Sequence, residues 1–248
     1  MSGALFTGTS GFAYPAWKPG FYPADLPQKR FLEHYATRLN AVEINYTFRR
    51  LPAAATLENW VTCTPEGFLF APKAHMRITH SMKLKDAGEF TEVFLRAIDP
   101  LRASRRLGPV LFQLPPTFKR DTPLLDSYLA ALPRELRAAF EFRHESWLAD
   151  DVYEVLERHG AALCLAESEK LEVPHVLTAG FAYFRLRKPD YSAEDLERFR
   201  QTAAEITAGG RDVFLFFKHE ETPDGALYAE RVANGPRTQS ARSENPST

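Results

Sequence analysis

Short apolar runs recur along the chain and alternate with longer amphipathic stretches. The runs are rich in Val, Leu, Ala and Phe and lie at residues 5–10, 41–48, 68–75, 109–115, 138–144, 161–168, 181–187 and 213–219. Runs of this length that are apolar on both faces are typical of strands in a parallel sheet, because helices cover both sides of such a sheet. The pattern therefore predicts eight strands.

The stretches between these runs have the spacing of amphipathic helices. Leu32, Tyr35 and Leu39, for example, lie on one face of a helix of 3.6 residues per turn. Stretches of this kind cover residues 28–39, 88–103, 122–132, 151–160, 192–206 and 224–233. Strands that alternate with helices indicate parallel strands joined by right-handed crossovers.

The chain has 248 residues, which is close to the roughly 250 residues of a typical α/β barrel. We therefore predict a single (β/α)8 TIM-type barrel over residues 1–233, with a long aromatic-rich loop after the first strand. A polar, Pro/Ser-rich tail over residues 234–248 is predicted to be disordered. An open doubly wound sheet is the alternative, although the "GTSGF" after the first strand departs from its Gly-rich dinucleotide motif.

Composition and charge limit the partners. Apolar residues make up 44% and charged residues 25%, and the formal net charge is −1, so no general attraction to nucleic acid or to an anionic membrane is expected. No apolar run approaches the roughly 20 residues that a membrane helix needs. The first residues lack a basic segment followed by a long apolar run, so no secretory signal is expected. These features predict a cytoplasmic protein without a membrane partner.

Polar side chains crowd the C-terminal ends of the predicted strands, whereas the N-terminal halves are apolar. Both faces of a barrel strand are buried, so a charge on such a strand needs a partner or a function. Barrel enzymes place their chemistry at the C-terminal ends of the strands. We therefore expect six side chains to converge in one pocket: Glu43, Lys73, Gln113, Glu141, Arg143 and Arg185. Asn45 and His144 complete the predicted site, where they would help to orient a substrate.

The residue types in this set suggest two roles. Guanidinium, ammonium and amide groups suit the oxygens of a carboxylate or a phosphate, and the predicted substrate-binding residues are Asn45, Lys73, Gln113, Arg143 and Arg185. Carboxylates and imidazoles transfer protons, and the predicted catalytic residues are Glu43, Glu141 and His144. The alternative is that Glu43, Lys73, Glu141, Arg143 and Arg185 form a satisfied ion-pair network that only fills the barrel. No spacing demands a metal, so no metal ligand is predicted, and the cofactor is left open.

Five segments in order resemble the successive motifs of the YecE-like family, a widespread bacterial and archaeal family named for its lack of a known function. They are "GTSGFAYPAWKPGFYP" (8–23), "VEINYTFRRLP" (42–52), "GFLFAPKAHMRITH" (67–80), "GPVLFQLPP" (108–116) and "FEFRHESW" (140–147). The resemblance covers roughly residues 5–233. It implies a TIM-type barrel, but no established activity, substrate or cofactor.

The resemblance also implies shared polar positions at Glu43, Asn45, Thr47, Lys73, His80, Gln113, Glu141, Arg143 and His144. The chain departs from the family pattern in four places. Phe12 stands where Trp is commoner, Arg49 where Tyr is commoner and Glu167 where Asp is commoner, and "FFKHE" replaces an Asn-rich turn after the eighth strand. The last two departures change charge or reach at the mouth of the barrel.

The leading hypothesis is an enzyme, of hydrolase or isomerase type, that acts on a small phosphorylated or carboxylated substrate at this mouth. One alternative is a nucleic-acid-binding or metal-dependent nuclease-like protein, in which aromatic and basic side chains stack bases and meet phosphates. The side chains concerned are Phe12, Tyr14, Trp17, Lys18, Tyr22, Arg49, Arg50, Arg77 and Trp147, and their aromatic members could instead form a lid. A non-catalytic ligand-binding protein is the third possibility. The sequence sets no oligomeric state.

Overall fold

The strands of the computed structural model, which describes residues 2–235, begin within one residue of the eight predicted apolar runs and end one to four residues before them. They are β1 (Leu5–Thr9), β2 (Ala41–Ile44), β3 (Leu69–Pro72), β4 (Val110–Gln113), β5 (Ala138–Glu141), β6 (Ala162–Ala166), β7 (Phe181–Leu186) and β8 (Asp212–Phe217). All their pairings are parallel. The eight predicted strands are therefore confirmed.

The strands close into a barrel. Six of them form a continuous ladder in the order β4-β5-β6-β7-β8-β1, and β2 pairs separately with β3. Single bridges join the two groups, from Ser10 to Glu43 between β1 and β2, and from Lys73 to Leu111 between β3 and β4. The amide of Gly11 donates to the carbonyl of Glu43 at 2.8 Å across the first junction. The predicted TIM-type α/β barrel is confirmed.

Eight α-helices surround the strands within residues 2–235. They are α1 (Phe31–Ala36), α2 (Ala54–Thr62), α3 (Gly88–Ala97), α4 (Asp99–Ala103), α5 (Thr122–Ala130), α6 (Asp150–Arg158), α7 (Ala193–Ala208) and α8 (Asp224–Asn234). Helix α2 was not among the predicted stretches. The predicted stretch 88–103 is divided at Ile98, because Pro100 lacks the amide hydrogen that would continue α3 and is accommodated in the first turn of α4.

The barrel interior is layered. Its apolar part contains Ala41, Leu69, Ala71, Leu111, Ala139, Ala162, Cys164, Phe181, Tyr183, Phe214 and Phe216, which are all buried. Moving two residues toward the C-terminal end of a strand keeps the side chain on the same face. Leu111 is thus followed by Gln113, and Ala139 by Glu141. The interior therefore changes from apolar to polar toward the C-terminal ends of the strands.

The aromatic segment after β1 lies mainly in the core. Trp17 and Tyr22 are fully buried, and the ring of Tyr22 stacks on Phe31 of α1 with centroids 4.0 Å apart. Tyr14 stays closer to the strand end, where its hydroxyl donates to the carbonyl of Ser10 at 2.9 Å. The long loop thus fastens α1 to the barrel.

Met1 and residues 236–248 lie outside the described residues, and so does nearly all of the predicted tail, residues 234–248. Helix α8 ends at Asn234. Within residues 2–235, none of the helices has both the length and the apolar character required to cross a membrane.

Candidate functional site

Arg185 of β7 is the centre of a polar network in the upper barrel. The residue is 1% exposed. Its Nε and Nη2 atoms donate to the two carboxylate oxygens of Glu43 at 2.8 and 2.6 Å, and its Nη1 donates to Glu141. Ser10 and Tyr183 each donate a further hydrogen bond to Glu43, at 2.7 and 2.8 Å. Glu43 therefore accepts four hydrogen bonds.

Glu141 is saturated in the same way. One of its oxygens accepts from Arg185 and from the amide of Gln113, the latter at 2.8 Å. The other accepts from Nε of Arg143 and from Nη2 of Arg187, each at 3.0 Å. A carboxylate offers about four acceptor positions, so no position is left for a further donor.

Both carboxylates are held in the ionised form. Burial alone would raise the pKa of Glu43, but Arg185 and the hydrogen bonds from Ser10 and Tyr183 outweigh burial and hold this pKa below its usual range. Burial likewise opposes ionisation of Glu141, and the surrounding guanidinium groups again outweigh it and lower the pKa well below the ordinary value. The two groups therefore act as fixed negative charges at neutral pH.

Lys73 lies at the edge of the network, at the end of β3. Its Nζ donates to Oε1 of Gln113 at 2.8 Å and lies 3.9 Å from the centroid of the Phe48 ring. Burial and the nearby charge of Arg185 lower the pKa of Lys73 to about 8, against an opposing effect of Glu43 and Glu141. Gln113 stands between the ammonium and Glu141, so this lysine forms no ion pair with a carboxylate in residues 2–235.

Arg143 and Arg187 form the outer side of the network. Their side chains are 35% and 22% exposed, and they share a single oxygen of Glu141. The Nε of Arg187 is buried and has no hydrogen-bond partner among the described residues. The network contains four cations, Lys73, Arg143, Arg185 and Arg187, against the two carboxylates. It therefore carries an excess of about two positive charges when Lys73 is protonated.

His80 lies on the same side as Lys73. Its ring packs edge-on against Phe48, with centroids 5.0 Å apart, and its Nδ1 lies 2.9 Å from the hydroxyl of Thr79. Burial, with Lys73 and Arg143, lowers the pKa of His80, so the imidazole is neutral at pH 7. The histidine belongs to a π-helical turn, Arg77–Ser81, a local geometry that is frequent at functional sites.

The backbone after this turn is unusual. Lys83, Leu84 and Asp86 have φ values of 49°, 68° and 51°, although none of them is glycine. Left-handed residues of this kind are uncommon and cluster at sites where the surroundings impose them. The connection after β3 is therefore held in a specific shape beside Lys73.

Six of the eight residues predicted for the site form one hydrogen-bonded network: Glu43, Lys73, Gln113, Glu141, Arg143 and Arg185. The other two do not join it. The side chain of Asn45 makes no hydrogen bond to a residue in the range 2–235, and Asn45 begins a short 3-10 turn after β2. Nδ1 of His144 accepts from the amide of Ser146 at 3.1 Å and caps another such turn.

Three members of the network were not in the predicted set: Ser10, Tyr183 and Arg187. Two of the missed residues, Tyr183 and Arg187, lie two positions before and two positions after Arg185 along β7 and just beyond it. The two-residue period of a strand therefore indicated both of them. Ser10 follows β1 directly and gave only the weaker signal of a polar residue at a strand end. Such residues are therefore better recognised when every alternate position is followed to the strand end and just beyond it.

The aromatic residues considered for base stacking are mostly inaccessible. Trp17, Tyr22 and Trp147 are each 0% exposed, and the ring of Trp147 stacks on Phe142 with centroids 4.8 Å apart. Within residues 2–235, no group of three or more His, Cys, Asp or Glu side chains is arranged to hold a metal ion. The polar network itself is thus the principal chemical feature of the mouth.

Two known bacterial proteins are similar to this chain in sequence. UPF0759 protein YunF of Bacillus subtilis is 25% identical over an alignment of 242 residues, which covers 83% of this chain and 86% of the relative. UPF0759 protein YecE of Escherichia coli K12 is 34% identical over 119 residues, which cover 48% of this chain and 43% of that protein.

Solved structures of similar proteins have the same fold. A DUF72 family protein of Thermotoga maritima superposes with a TM-score of 0.83 at 28% identity, and the match covers 93% of this chain and 98% of the other. A DUF72 family protein of Enterococcus faecalis has a TM-score of 0.74 at 18% identity over 94% and 98% of the two chains, which is a likeness of fold. A family model described as "Protein of unknown function DUF72" matches residues 6–247. The predicted YecE-like resemblance is thereby confirmed, and the chain belongs to the DUF72 family.

Proposed function

We propose that this protein is an enzyme that binds a small anionic substrate, phosphorylated or carboxylated, at the C-terminal mouth of the barrel. The observation that supports this proposal is the charge imbalance of the network. Two carboxylates face four cations, and two of the cations, Arg143 and Arg187, share one carboxylate oxygen. Partly buried charges without a full counter-charge are costly, and a bound anion would offset that cost.

Free donors are available for such an anion. A guanidinium group has five N–H donors in a planar fork that suits carboxylate and phosphate oxygens. Arg143 uses only its Nε within the described residues, so its two terminal nitrogens remain for a ligand. Arg187 adds a buried Nε that has no hydrogen-bond partner in the range 2–235. Arg185, in contrast, directs Nε, Nη1 and Nη2 at the two carboxylates and serves as a support.

The hydrogen bonds also indicate which residues can transfer protons. Glu43 and Glu141 would each have to release a hydrogen bond before accepting a proton, because all their acceptor positions are occupied. We therefore assign them the role of holding Arg185, Arg143 and Arg187 in place. Lys73 and His80 are better suited to the chemical step, since the pKa of each is lowered by burial and by neighbouring cations. Hydrolysis and isomerisation both fit this assignment.

Ligand-dependent thermal unfolding tests the proposal. Wild type and Arg143→Lys would be heated with and without inorganic phosphate and a panel of phosphorylated and carboxylated metabolites. A ligand at a hundredfold excess over Kd adds about 2.7 kcal/mol, which raises Tm by about 5–10 °C for a chain of this size. The Lys variant keeps the charge but loses the fork, so its response should be much smaller.

Arg96→Lys on α3 is the matched control, because Arg96 forms only an exposed pair with Glu92. It should respond to ligands like wild type. If no anion stabilises wild type, or if Arg143→Lys responds to the same extent, the anion site is refuted. A ligand that stabilises the protein strongly and is recovered unchanged after prolonged incubation would favour a non-catalytic binding protein over an enzyme.

A further inference from the structure

Lys73 differs from the other cations of the network because it pairs with no carboxylate among the residues that the structure describes. Its Nζ is bound to the amide oxygen of Gln113 and lies over the face of Phe48. Neither contact stabilises an ammonium as an ion pair would, and burial with the charges of Arg185 and Arg143 outweighs the opposing effect of Glu43 and Glu141. These are the conditions that favour a neutral and therefore nucleophilic amine.

Lys73 is also the most exposed of the buried members of the network. Among the buried members of the network, exposure rises from 0% for Glu43 to 1% for Glu141 and Arg185, 4% for Gln113 and 8% for Lys73. Lys73 therefore lies nearest to solvent among them. Its hydrogen bond to Gln113 is one of a chain that continues to Glu141 and then to Arg143, at 2.8, 2.8 and 3.0 Å, which fixes the amine relative to the outer guanidinium.

We propose that Lys73 forms an imine with a small aldehyde or ketone whose phosphate or carboxylate is held by Arg143 and Arg187. This inference rests on the anion site proposed above. Nζ bonds to the carbonyl carbon, the carbonyl oxygen leaves as water with two protons from the nitrogen, and a C=N bond remains. No oxidant or reductant is required. An imine acidifies the adjacent C–H bond, so the product is primed for the proton transfer of an isomerase-type reaction.

His80 is positioned to transfer protons in this reaction. It contacts the same Phe48 ring as Lys73, and only its Nδ1 is hydrogen-bonded within the described residues, to the hydroxyl of Thr79. The neutral imidazole can pass a proton to the departing oxygen or take one from the adjacent carbon. The fixed shape of the connection after β3 keeps the ring in this position.

Reductive trapping tests the imine directly. The protein is incubated with pyridoxal 5′-phosphate, an aldehyde that carries a phosphate, and reduced with borohydride before peptide mapping by mass spectrometry. At pH 7.5 an amine with a pKa of about 8 is about one quarter neutral, against about one thousandth for an ordinary lysine. We expect Lys73 to be labelled at least about tenfold faster than Lys85 and Lys119, which are exposed and serve as internal controls.

The choice of probe separates the two proposals. Pyridoxal, which lacks the phosphate, should label Lys73 far more slowly, and Arg143→Gln should slow the phosphate probe but not pyridoxal. Lys73→Met should lose the fast site. Equal labelling of Lys73 by both probes would overturn the anionic substrate class. Labelling confined to exposed lysines, in a protein that phosphate still stabilises, would overturn the imine and leave the anion site standing.

Variants that fail to fold do not prevent this test, because the peptide map of wild type already compares Lys73 with Lys85 and Lys119 in one sample. Absence of both fast labelling at Lys73 and stabilisation by phosphate would refute the imine and the anion site together.

Discussion

Replacing Arg185 by Met would remove the guanidinium that neutralises two buried carboxylates. Glu43 and Glu141 are 0% and 1% exposed, and Arg185 donates to both. Breaking a buried ion pair costs about 3–5 kcal/mol, chiefly because the remaining charge is left uncompensated. For a chain of this length each kcal/mol lowers Tm by about 2–4 °C, so a decrease of about 10 °C is expected.

The loss should depend on pH with a definite sign. In wild type the folded pKa values of Glu43 and Glu141 lie below the unfolded value of about 4.3, so their stabilising effect is complete at neutral pH and is lost as pH falls below about 4. In Arg185→Met, burial is no longer outweighed and the folded pKa of Glu43 rises. The destabilisation should therefore be larger at pH 7 than at pH 5, where protonation relieves the buried charge.

Urea unfolding followed by circular dichroism at pH 7 and pH 5 measures this difference. Arg200→Met on α7 is the control, because Arg200 forms a surface pair with Glu197 and its removal should change stability little at either pH. Adding Glu43→Gln to Arg185→Met should recover part of the lost stability, because the second substitution removes one of the two uncompensated buried charges. If Arg185→Met lowers stability by less than about 1 kcal/mol, or by the same amount at both pH values, Arg185 does not neutralise buried charges on Glu43 and Glu141.

Two further substitutions test the site and the barrel. Lys73→Met should raise the free energy of unfolding at pH 7 by on the order of 1–3 kcal/mol, because it removes a buried charge. This gain should shrink between pH 8 and pH 10, where Lys73 of the wild type becomes neutral. A difference in unfolding free energy between variant and wild type that stays constant across that range would contradict the prediction. Gly8→Ala should destabilise by about 3 kcal/mol or more, because its Cβ would lie 1.9 Å from the carbonyl oxygen of Ala41. Gly88→Ala, with nothing within 4 Å of the new Cβ, should stay within about 0.5 kcal/mol in the same melts, and equal effects of the two substitutions would contradict the close approach of β1 and β2.

The fold was predictable because the strands are buried on both faces. Their apolar runs are short, continuous and regularly interrupted, which is the signature of a parallel sheet covered by helices. Helix α2 was not predicted because its sequence, AATLENWVT, buries only Leu57 fully and so lacks a clear apolar stripe. The division of 88–103 could have been anticipated from Pro100, whose missing amide hydrogen favours the first turn of a helix.

The site was predictable as far as the strands extend. Glu43, Gln113, Glu141 and Arg185 lie within strands, where the two-residue period determines which face a side chain takes. Strand β2 ends at Ile44, so Asn45 already belongs to the following 3-10 turn and the period no longer applies to it. His144 lies three residues beyond the end of β5, and only the three-dimensional structure shows that its imidazole caps a turn.

The charge balance of the network bears on whether these groups serve the fold or a ligand. Arg185 and one further guanidinium group would balance the charges of Glu43 and Glu141, which are shielded from solvent. Arg143 and Arg187 instead share one oxygen of Glu141, and the second of these cations lowers stability unless a further anion offsets it. A network selected only for stability would lack this excess. The surplus of positive charge at the mouth is therefore the feature that favours a bound anion over a structural role.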